Sequence, residues 1–165
     1  MNKSKIIMPT GYNIPDGGDI NIFCRYSDDL AQSIFDEMIV NFFKDNNMDV
    51  SVNIDNDGNY KFVSISDNST DSVIAVEFWE KFDDAYRDEL IECYNDDNLI
   101  SKDVIINILY NCNSEMMFDC RSREEVLMSL IFASYLSKYT DYIMITDNYS
   151  GINLKPVNNG FVILS

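Results

Sequence analysis

Residues 48–65 constrain the fold more than any other stretch. Met48, Val50, Val52 and Ile54 alternate with Asp49, Ser51 and Asn53. That period of two marks a strand with one wet face, because successive side chains leave a strand on opposite sides. Asn56-Asp57-Gly58-Asn59 follows, and Asp-Gly is a strong tight-turn signal since both central positions tolerate φ > 0. Tyr60, Phe62, Val63 and Ile65 supply the return strand. The spacing therefore predicts a β-hairpin and commits the chain to an antiparallel ladder. A third strand is expected over 73–79, close enough to extend the hairpin into a meander.

Around this meander the period changes. Leu30, Ala31, Ile34, Phe35, Met38, Ile39, Phe42 and Phe43 recur at helical spacing after Ser27, with Asp28 and Asp29 in the first turn, where the helix dipole favours negative charge. A second helix is expected from Asp83, with Phe82, Tyr86, Leu90 and Tyr94 as its apolar stripe. The β-branched run 104–109 suits a strand or a short helix; a helix is preferred because a strand at 115–120 then follows naturally. Ser122-Arg123-Glu124-Glu125 reads as a capping box. It opens a helix expected to carry Val126, Leu127, Leu130, Ile131, Ser134 and Tyr135 inward.

Strands are further expected at 20–26, 142–146, 152–154 and 161–164, with a turn at 148–151. The order β-α-β-β-β-α-α-β-α-β-β-β contains no repeat and no splitting linker. It predicts one α+β domain over residues 1–165, with a mixed or mainly antiparallel sheet packed with helices on one or both faces.

Charge limits the partners. Twenty-eight acidic residues face twelve basic ones, with no histidine, for a formal charge of -16. Residues 1–97 hold 21 acids and 7 bases, and residues 98–165 hold 7 acids and 5 bases. Direct binding to nucleic acid or an anionic membrane is not expected, since both need neutralising Lys and Arg. The N-terminus, through Pro9, is basic but lacks the roughly 7–15-residue apolar stretch of a signal peptide, and no apolar run reaches about 18 residues. A cytoplasmic chain with reduced cysteines is the expectation.

Lack of histidine removes the commonest general base and metal ligand together. Asn53, Asp55 and Asp57, with Gly58, match the start of a calcium loop, but Ser64 stands where the bidentate glutamate belongs. A hairpin turn is the better reading, and neither a metal nor a cofactor is expected. Cys24, Cys93, Cys112 and Cys120 form no metal-binding spacing, and Trp79 is expected to pack at the sheet edge. An alternative reading, a carboxylate-based metal-dependent hydrolase, needs Asp16, Asp19, Asp119, Asp141 and Asp147 to converge. A non-enzymatic structural or regulatory binding protein is a further alternative.

Dense carboxylates interleaved with aromatics suit a different task, the binding of a basic protein. Charge speeds encounter and sets orientation, while Tyr and Trp provide buried anchors. The residues expected to carry it are Asp55, Asp57, Tyr60, Trp79, Glu80, Asp83, Asp84, Tyr86, Asp88, Tyr94 and Asp97. In its small size, acidity, lack of histidine and opening helix and hairpin, the chain resembles bacterial immunity proteins of contact-dependent and polymorphic toxin systems. The resemblance implies a cytoplasmic, non-enzymatic inhibitor of a toxin domain, such as a nuclease. It rests on no diagnostic motif, so no functional residue is carried over.

Overall fold

The structure, a computed structural model, describes residues 6–25, 50–57, 60–67, 72–79 and 82–165. Eight strands form one sheet: β1 Gly18–Cys24, β2 Val50–Asp57, β3 Tyr60–Asp67, β4 Ser72–Trp79, β5 Ser114–Cys120, β6 Ile143–Asp147, β7 Ile152–Val157 and β8 Gly160–Ile163. Their order is β2-β3-β4-β5-β1-β6-β7-β8, and each ladder is antiparallel. Ile7 adds an isolated parallel bridge to Gly160 at the β8 edge. Three described helices complete the fold: α1 Asp84–Cys93, α2 Lys102–Asn111 and α3 Arg123–Leu136. It is an α+β fold with an antiparallel sheet.

Local chemistry accounts for most of these elements. Asp57 pairs with Tyr60, so β2 and β3 form the expected hairpin; Gly58 and Asn59, where the turn is expected, lie outside the described residues. Asp83 caps α1 by accepting from the Tyr86 backbone N–H at 2.9 Å. Ser122 Oγ accepts from the Glu125 N–H at 3.2 Å. The Glu125 carboxylate reaches one residue past the cap, to the Arg121 N–H at 2.5 Å. Arg123 donates to the Ile14 carbonyl at 3.1 Å and ties the start of α3 to the N-terminal loop. The run 104–109 is helical within α2, as preferred above.

Alternation then divides the core in two. On one face Ile20 and Ile22 of β1, Met116 and Phe118 of β5, and Ile145 of β6 pack under α3, with Tyr12 and Phe161 alongside. On the other, Phe23 of β1 and Met144 of β6 lie under Ile105, Ile108 and Leu109 of α2, with Phe82, the half-buried Tyr86, Leu90 and Ile91 of α1 and its half-buried C-cap Tyr94. Burying a Leu, Ile or Phe side chain contributes about 1.5–3 kcal/mol. Helices therefore cover both faces over β1 and β6.

Three expectations are corrected. The buried stripe of α3 is Val126, Ser129, Leu130, Phe132, Ala133 and Leu136, whereas Leu127, Ile131, Ser134 and Tyr135 are half-buried. Apolar residues encircle most of this helix, so periodicity did not fix which side meets the sheet. Trp79 is not on an edge strand: β4 is interior, and Trp79 pairs with Tyr60 on one side and Glu115 on the other. The strand expected at 152–154 runs on through Val157. The helix expected after Ser27 lies outside the described residues.

Candidate functional site

The pairing register assembles a surface that no single segment of sequence contains. Paired residues point to the same side of a sheet. The row Asp55, Phe62, Glu77, Met117, Asn21, Thr146 and Asn153 crosses seven strands. Beside it runs Asp57, Tyr60, Trp79, Glu115, Phe23 and Met144, and on the other flank Asn53, Ser64, Ala75, Asp119 and Asp19. These rows belong to the α1–α2 face, since Phe23 and Met144 are its core.

Away from those helices the described side chains of this face are mostly polar and at least partly exposed. Ser51, Asn53 and Asp55 are exposed on β2; Ser64, Ser66, Glu77, Glu115, Met117 and Asp119 are partly exposed; Asp19 is exposed. Carboxylates Asp19, Asp55, Glu77, Glu115 and Asp119 thus share one face. With strands about 4.8 Å apart, the four spacings from β2 to β1 span about 19 Å. None of the positions of these rows on the five strands β2 to β1 is lysine or arginine. Asp19 and Asp119 are direct cross-strand partners, and neither has an ion-pair partner among the described residues. Like charges directly opposite destabilise a sheet.

Where the open face meets α1 the carboxylate becomes half-buried. Glu115 accepts from Asn21 Nδ2 at 2.5 Å and from the Tyr86 hydroxyl at 2.5 Å. Burial pushes its carboxyl above the usual range, against the lowering effect of both hydrogen bonds. The Tyr86 hydroxyl is raised well above its ordinary value, first by burial and then by its bond to Glu115 and that group's charge. Asn148 donates to Asn21 Oδ1 at 2.9 Å. Farther along α1, the Tyr94 hydroxyl contacts Thr146 Oγ1 and Asn153 Oδ1, each at 3.2 Å, and Thr146 donates to Asn153 Oδ1 at 2.7 Å. Burial raises Tyr94, partly offset by Thr146.

The residues singled out from sequence fall into three places. Register brings Asp57, Tyr60 and Trp79 into one row with Glu115, and Asp55 into the next. Tyr86 and Tyr94 turn inward as anchors of α1, while Asp83 is its cap. Asp84 pairs with Arg87 at the start of α1, and Asp88 is exposed on it. Asp97 is exposed and pairs with Lys102 at 2.6 Å, which lowers its carboxyl. Glu80 lies outside the described residues. Glu77, Glu115, Asp119, Asp19 and Asn21 complete the surface and were not assigned to it from sequence. Their signal was the polar member of each alternating strand, as in Ser114–Cys120.

Other chemistry finds less support. Among the described residues no three Asp, Glu or Cys groups stand close enough to hold a metal ion. Asp19 and Asp119 meet, but buried Asp147 is spent on its own turn, accepting from Tyr149 N at 2.9 Å and Ser150 Oγ at 2.8 Å. Asp141 precedes β6, at the end of that strand opposite to Asp147. Burial raises the Cys24 and Cys120 thiols to about 12 and pushes Cys112 higher still; Cys93 is exposed. A shallow cavity of about 470 Å³ beside α1 and α2 is lined by Arg25, Arg87, Asp84 and Tyr110. Arg87 there is bound to Asp84 and to the Cys112 carbonyl, and Arg25 lies over the Tyr142 ring. No described helix is long and apolar enough to cross a membrane. Neither a family model, nor a curated protein, nor a solved structure matches the chain.

Proposed function

We propose that this chain is a protein-binding inhibitor that neutralises a basic protein partner, as a cytoplasmic immunity protein does a bacterial toxin domain. The observation that carries the reading is the open acidic face formed by Asp19, Asp55, Glu77, Glu115 and Asp119. Its rows contain no cation, and its Asp19–Asp119 pair sets two carboxylates side by side. A lysine- or arginine-rich surface docking there would relieve that repulsion and accelerate encounter. Tyr60 and Trp79 stand at paired register positions in the row next to Asp55 and Glu77, and aromatic residues are the type that interface centres favour. An acidic blocker also suits a nuclease, whose substrate-binding surface must itself be basic.

The test is affinity capture of this chain's basic partner from cells that express its genomic neighbourhood, followed by co-expression of the two. Protection of growth, together with a stoichiometric complex that weakens as salt rises, is the expected result. Unprotected growth with no complex at low salt would overturn the reading.

A further inference from the structure

Helix α1 is held to the sheet unlike the other two described helices. It contains no fully buried residue, whereas α2 buries Ile105, Ile108 and Leu109 and α3 buries seven residues. Its half-buried Tyr86, Leu90, Ile91 and Tyr94 rest on the core at the edge of the α2 cluster. Among the described residues, the Tyr86 hydroxyl bonds Glu115 and the hydroxyl of the C-cap Tyr94 bonds Thr146 and Asn153, tying the helix to the sheet. Few buried apolar contacts and polar anchoring are the features of an element that opens locally before the whole fold does.

We propose that Glu115 is a proton-controlled anchor for α1, whose release uncovers Asn21, Glu115, Thr146 and Asn153 and extends the open polar face. Two donors satisfy the ionised carboxylate when the helix is closed, but the helix also keeps it from water. The charged groups around it give little compensation. Glu77 lies on β4 in the neighbouring row, Asp19 and Asp119 farther along β1 and β5, and Glu89 and Cys93 on α1 itself. Arg87, the cation on α1, is taken by Asp84 and the Cys112 carbonyl.

The sign follows from burial. The closed-state carboxyl is raised above its value in water, so closure favours the protonated acid. Closure is strongest below the ordinary glutamate range and weakens as pH rises through the closed-state value. A protonated Glu115 keeps both contacts, since its O–H donates to the Tyr86 oxygen while its carbonyl still accepts from Asn21.

Hydrogen exchange of the full chain, corrected for the intrinsic rate and compared with α2 as internal reference, tests this from pH 5 to 7.5. The protection of α1 relative to α2 is expected to fall as the pH rises over that range, by no more than about tenfold per pH unit, the limit for one proton. Glu115→Gln, which mimics the neutral acid, should flatten the dependence. Tyr86→Phe removes a bond that lowers the carboxyl and should move the loss of protection to higher pH. Unchanged pH dependence in Glu115→Gln, an unmoved Tyr86→Phe transition, or exchange of α1 only together with α2 would each overturn the proposal.

Discussion

Replacing Phe132 by alanine should be among the most damaging single changes in the chain. Phe132 is fully buried in α3, and its ring centroid lies 5.7 Å from that of Phe118 on β5, tilted by 53°. The substitution removes the apolar contribution and leaves a cavity between helix and sheet, a combination that costs about 3–5 kcal/mol. Of that, about 0.5–1.5 kcal/mol belongs to the aromatic pair. Single domains have about 5–15 kcal/mol in total, so the variant should still fold but lie near the edge. In a domain of this size each kcal/mol moves the melting temperature by about 2–4 °C, which gives a drop of about 10 °C. Urea unfolding should show a lower midpoint with an unchanged slope. Tyr110→Ala, at a residue 68 % exposed, is the control and should stay within about 0.5 kcal/mol. A Phe132→Ala loss below about 1.5 kcal/mol would refute the packing of α3 on β5.

Two further outcomes are expected. Ser122→Ala leaves the Glu125 N–H without its side-chain acceptor and should cost about 1 kcal/mol in urea unfolding, with Ser122→Gly costing less; an unchanged midpoint would contradict the cap. In the native protein at pH 8 a thiol reagent should modify Cys93 rapidly and Cys24, Cys112 and Cys120 slowly, because these three are buried and their thiols are raised. All four should react in denaturant, and four fast thiols in the native state would contradict the core.

The local elements were largely legible in the sequence because short-range chemistry decides them. The strand pair at 50–67, the helix from Asp83 and the Ser122 cap each act over a few residues, and each produced an element where expected. Phase and register were not legible. α3 is apolar on too many sides for periodicity to choose its buried stripe. Trp79 looked like an edge residue because strand order depends on which strands pair, and β4 turned out to pair with β5, whose sequence lies 35 residues later. The same limit hid the surface. Asp19 and Asp119 are one hundred residues apart in sequence and directly opposite in the sheet. Tyr86 and Tyr94, offered from sequence as contact residues, lie half-buried with their hydroxyls facing Glu115 and Thr146, a detail their helical spacing did not give.

The most direct test of the acidic face is the association rate with the basic protein partner that the proposed function requires, once affinity capture has supplied it. Wild type would be compared with Asp55→Lys/Glu77→Lys/Asp119→Lys at low and raised salt, by stopped flow. All three positions are at least partly exposed, so the melting temperature should be retained. The account predicts an on-rate reduced roughly tenfold or more at low salt, with most of the salt dependence gone. An on-rate and salt dependence equal to wild type, in a folded variant, would contradict it.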